Sequence, residues 1–223
     1  MKKILTTLCV CLSITLLHGQ GTIVFNNTSA AFAVSTNTAL SSVIGGSQSG
    51  GTSGKTAIAA NGYYYALLTS TYDGSSPTSS ALDNQWSFSG LMATNATLSV
   101  FIGGITGPGG GGGVAVNGWN PGDTNYVMVV GWSSNLGASW LTVSNELSTG
   151  NWAGVGYYGT STIGFVASGG VGSPATPATS IFGGTGITGP TTLYTVQPVP
   201  EPGTIALATL GGLSMLALRR RKA

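Results

Sequence analysis

A chain of 223 residues in which 42% are apolar, 37 are glycine and only 5% are charged is too hydrophobic for a solvated disordered polymer, and its glycines lack the three-residue period of collagen. The formal net charge of +2 comes from the ends: between residues 21 and 198 one cation, Lys55, stands against four acids, Asp73, Asp83, Asp123 and Glu146, a net of −3. Such a body cannot neutralise a run of phosphates, which argues against nucleic acid as a partner, and its solubility rests on hydroxyl, amide and backbone groups.

Residues 1–20 read as a secretory signal peptide: Lys2 and Lys3, an apolar stretch from Ile4 to Leu17, then small or polar residues that place cleavage around Gly19 to Gly21. The apolar stretch is short for an anchor helix and gives way at once to strand-like sequence. Neither Cys9 nor Cys11 has the flanking residues that lipid attachment requires. Removing this segment removes Cys9, Cys11 and His18, which are every cysteine and the only histidine of the chain. The exported body is then held without disulfides, although its compartment permits them.

Residues 21–198 read as one β-rich extracellular domain. Short apolar or alternating runs separated by Gly, Asn, Asp, Ser and Pro predict strands at TIVFNN, FAVST, TAIAA, YYYALLTST, TLSVFI, GVAVNGW, NYVMVVGW, WLTVS, TIGFVAS and TLYTVQ. No run reads as an amphipathic helix. In NYVMVVGW, Tyr126, Met128, Val130 and Trp132 fall on one face and Val127 and Val129 on the other, which predicts a central strand covered on both sides. The expected fold is all-β: a two-layer antiparallel β-sandwich of jelly-roll or Ig-like type, with flexible loops at GGSQSGGTSGK, GPGGGGG and GGVGSPATPATS.

Little chemistry is on offer. Without His or Cys the body can form neither a Ser-His-Asp or Cys-His nucleophile nor a zinc or haem site, so no catalytic residue, cofactor or metal is expected. The stretch SGGTSGKT lacks a glycine at Ser49 that a phosphate-binding loop needs. Paired carboxylates would suffice for glycoside hydrolysis, but Asp73, Asp83 and Asp123 stand in YDGSSP, LDNQW and PGDTN and read as turn formers. The large rings read mainly as core. Trp119 and Trp152 lie near loops and are the candidates for sugar contact by an exposed ring.

The chain ends VPEPGTIALATLGGLSMLALRRRKA. Thr204 to Leu218 carries no charge and as a helix would reach ~22 Å, short of the ~30 Å hydrocarbon core. Pro200 and Pro202 hold Glu201 on an extended stem, and Arg219, Arg220, Arg221 and Lys222 resist translocation. These features predict a product paused in the membrane with a cuttable stem outside. Val199, Pro200, Glu201, Pro202 and Gly203, followed by the apolar run and the basic end, resemble the PEP-CTERM sorting family. A similar tail is also known as an ice-binding protein C-terminal domain. The resemblance covers residues 199–223. It implies recognition by an exosortase, a membrane-embedded processing enzyme, transient anchoring through 204–218, and delivery to the cell surface or extracellular polysaccharide.

The expected role is a non-enzymatic structural or adhesive protein of the cell surface or exopolysaccharide. A carbohydrate-binding module using exposed Trp and Tyr is the second reading, and an extracellular glycoside hydrolase the third. An ice-binding face would need a regular T-x-T ladder, which the sequence lacks.

Overall fold

A computed structural model describes residues 19–56, 59–97, 101–170 and 176–198. Residues 1–18 of the expected signal peptide, the motif Val199–Gly203, the apolar run 204–218 and the basic cluster Arg219–Lys222 lie outside the described residues. Those described contain strands β1 (Thr22–Val24), β2 (Val34–Leu40), β3 (Ser53–Lys55), β4 (Tyr63–Thr71), β5 (Ser87–Asn95), β6 (Ile105–Thr106), β7 (Val114–Ala115), β8 (Thr124–Ser133), β9 (Gly156–Thr160), β10 (Gly164–Ala167), β11 (Thr179–Ser180) and β12 (Thr191–Val196). They also contain one α-helix, α1 (Trp140–Thr149).

Strand β8 organises the molecule. It pairs antiparallel with β4 from Tyr63↔Ser133 to Thr71↔Asn125, and its other edge is shared by β9 and β10. The large sheet runs β3-β2-β12-β9-β8-β4-β5-β6, with β10 added on β8; a small sheet runs β11-β1-β7. Val127 and Val129 join Tyr65, Leu67, Leu193, Ile23 and Phe25 in one apolar cluster, so the small sheet lies on that face. Tyr126, Met128, Val130 and Trp132 join Ala66, Leu68, Trp86, Trp140 and Val143 in the other, so α1 and the connection before β5 cover the opposite face. The alternation read from NYVMVVGW is therefore the division between two cores.

The structure is mostly β, as expected, but mixed. β12 pairs parallel with β2 and antiparallel with β9, and β1 pairs parallel with β11. Parallel neighbours need long crossovers, and β12 is separated from β2 by most of the domain. The predicted strand WLTVS is instead the first half of α1. Ser139 caps it by accepting the Thr142 N–H (3.2 Å), and Gly150 closes it at φ 68°. Trp140, Val143 and Leu147 then form a stripe at helical spacing.

Strand β5 has no counterpart among the predicted runs. Its sequence SFSGLMATN is interrupted by Gly90 at φ 81°, where three residues of β5 stand opposite Leu67 alone. Ser89 Oγ donates to Leu67 O (2.8 Å) and accepts from Leu91 N (3.2 Å), stitching the bulge. β3 arises inside a predicted loop. It is held by polar bonds: Asn37 Nδ2 to Ser53 Oγ (3.2 Å) and Thr52 N to Thr38 Oγ1 (2.8 Å). In TAIAA, 57–58 lie outside the described residues and Ala59–Ala60 form a turn; in TLSVFI, 98–100 lie outside and Phe101–Ile102 are not strand.

Leu67 is wholly buried where the small sheet meets the large one. Leu67→Ala is expected to cost about 2–5 kcal/mol in chemical denaturation. Leu141→Ala, on the open face of α1, should change stability by less than about 0.5 kcal/mol.

Candidate functional site

The body's acids occupy separate places with separate tasks. Asp73 Oδ1 accepts from Ser75 N (2.8 Å). Asp83 accepts from the Thr78 hydroxyl (2.6 Å) and from Gln85 N (3.0 Å), and these two donors, the hydroxyl first, hold its carboxyl below the usual value. Asp123 Oδ2 accepts from Asn120 N (2.7 Å) and Nδ2 (3.1 Å). All three close their own turns, as their sequence contexts predict. Among the described residues no three His, Cys, Asp or Glu side chains gather as a metal-binding group.

Glu146 differs, because the helix carries it inward. Its Oε1 accepts from Ala153 N (3.2 Å), while Oε2 is buried without a partner. Desolvation raises its pKa, and the Ala153 N–H offsets this in part. Glu146 and Trp152 border a shallow cleft with Leu141, Thr142, Asn145 and Asn151.

Neither tryptophan singled out for sugar contact presents a ring to solvent. Trp119 is 8% exposed and fills the core beneath the small sheet; Trp152 is 2% exposed and packs on Tyr158 at 5.4 Å. The loop sequences NGWNPGD and TGNWAG favour exposure, but each ring is drawn into an apolar cluster, Trp119 on the small-sheet side of the large sheet and Trp152 on the helix side. Exposed rings among the described residues are Phe88, Phe101 and Tyr72, the last 41% exposed and absent from the expected sugar contacts. Tyr72 follows β4 directly and meets Tyr126 and Phe165 at 4.9 and 5.0 Å. Its position three residues beyond the buried end of a long strand was the available signal.

The sorting elements come after β12, which ends at Val196 between β2 and β9. Among the described residues no helix is long and apolar enough to cross a membrane, and the run 204–218 lies outside them. Residues 198–222 match the family model described as the PEP-CTERM protein-sorting motif. The match to the PEP-CTERM motif spans the proline-glutamate-proline stem, the apolar run and the four cations, and is confined to this tail. No curated protein and no solved structure matches the chain.

Because folding raises the Glu146 pKa, the folded state holds this proton more tightly than the unfolded chain does. The stability it contributes is present below the ordinary glutamate value of the unfolded chain and is lost as pH rises through the higher folded one. Thermal midpoints measured across that interval should fall with rising pH in the native protein. In Glu146→Gln that component of the fall should be missing.

Proposed function

We propose that this is an exported, non-enzymatic protein of the cell surface or exopolysaccharide, delivered by an exosortase-type enzyme that reads its PEP-CTERM tail. The match at residues 198–222 carries this reading. The leader brings the chain across the inner membrane. The apolar run 204–218 then holds it there, too short to span at rest, with Arg219, Arg220, Arg221 and Lys222 keeping the end on the inner side. Gly211 and Gly212 weaken any helix across this run, which suits a passing intermediate better than a lasting anchor. Within Val199, Pro200, Glu201, Pro202 and Gly203 the two prolines disfavour helix in front of this run, which suits access to the backbone by a membrane enzyme.

The body suits a structural or adhesive role in a matrix. It is a two-layer β fold of sandwich type in this reading, with its small and large sheets as the layers. Its surface depends on hydroxyl and amide groups, and three of its four acids are engaged in turns.

Mass spectrometry of protein released by the native host tests the sorting step. The expected mature C-terminus lies upstream of Thr204. Released protein retaining Leu218 or anything beyond it would overturn the proposal.

A further inference from the structure

Among the described residues Tyr72, Phe88 and Phe101 are exposed rings, and of these Tyr72 packs against other aromatic side chains. Tyr72, Tyr126 in β8 and Phe165 in β10 stack in mutual contact, the last pair edge-on at 6.4 Å and 85°. They border a cleft of about 390 Å³, in the range of small-ligand sites, whose remaining wall includes Ser76, Thr185 and Thr188. The Phe165 N–H donates to Thr185 O (2.9 Å), which ties that wall to the platform. Tyr126 is only 5% exposed, yet its hydroxyl is not among the buried unpartnered atoms and forms no hydrogen bond with any described residue. The cleft therefore joins an accessible ring face to an unengaged hydroxyl and a hydroxyl-bearing rim.

We infer that this cleft binds a neutral saccharide chain, with one pyranose ring laid on Tyr72 and its hydroxyls bonded to the Tyr126 phenol and the Ser76, Thr185 and Thr188 side chains. Sugar rings present apolar C–H faces edged by hydroxyls, which is the complement of an aromatic platform with a polar rim. A purely apolar ligand would leave the phenol and the rim unpaired at a cost. An acidic polysaccharide finds no cation in the lining, and Asp73, next in sequence to Tyr72, acts electrostatically on the Tyr126 phenol. A quaternary ammonium needs a cage of separated rings around it. Here centroids at 4.9 and 5.0 Å put the rings against one another and leave no space between them. This inference goes beyond the sorting reading and does not depend on how the tail is processed.

The test is calorimetric titration of the full chain, in a zwitterionic detergent free of sugar, with neutral glucan, galactan and mannan oligosaccharides. Alginate oligosaccharide and choline serve as charged probes. Saturable binding of at least one neutral series is expected. Tyr72→Ala should weaken it about tenfold, and Tyr126→Phe, which removes only the hydroxyl, about fivefold. Leu141→Ala should bind as the native chain does, and all variants should keep the native thermal midpoint within a few degrees. The inference is overturned if no neutral oligosaccharide saturates, if alginate or choline binds more tightly, or if either tyrosine variant binds with native affinity.

Discussion

Strand β8 must bury both of its faces and satisfy every backbone group along its length. Its side chains feed two separate apolar clusters, so it cannot be exposed on either side without opening a core. The ladder with β4 on one edge, and with β9 and β10 on the other, answers the backbone requirement. The small sheet and the helix are then the two covers. Each large side chain they enclose is worth roughly 1.5–3 kcal/mol relative to exposure. In a body without cysteine that burial, together with the ladders, is what holds the domain.

The parts of this fold legible in the sequence are those where side-chain alternation is strong. β4 was bounded at Tyr63 and Thr71 as observed, and β8 differs from its predicted run by one residue at each end. β5 escaped because Gly90 and the bulge break the alternation on which such readings rest. The helix escaped for a different reason. WLTVS alone contains a β-branched pair and an aromatic, while the signals of a helix, Ser139 before it and Gly150 after it, both lie outside those five residues. Neighbouring tertiary structure also decides the fate of a ring near a loop. Trp119 and Trp152 turn inward into clusters built from distant strands and the helix, whereas Tyr72 stays accessible at a strand end. Of the tail, order and placement in the sequence carry everything said.

Shortage of charge runs through both the body and its proposed ligand site. Asp73, Asp83 and Asp123 spend their oxygens on backbone N–H groups close by in the chain, and Glu146 is taken into the helix–core interface. What remains for recognition is aromatic area and hydroxyls. Hydroxyls also replace side-chain packing at the edge, where Thr38, Asn37 and Ser53 hold β3 in place. The tail is the opposite in kind, with its cations massed at one end and its greasy run unbroken by charge.

The position of β12 has a consequence for the order in which the sheet is completed. It is the last strand of the body, yet it sits inside the large sheet, joining β2 to β9, with Thr191 beside Val34. Until β12 is in place the β3-β2 pair has no strand of the large sheet to dock on, and such distant pairing is slow to form. The β4-β8-β9-β10 unit can assemble from earlier residues, but the edge strands β2 and β3 join it only through β12, so closure of the large sheet falls to the segment directly ahead of the proline-glutamate-proline stem.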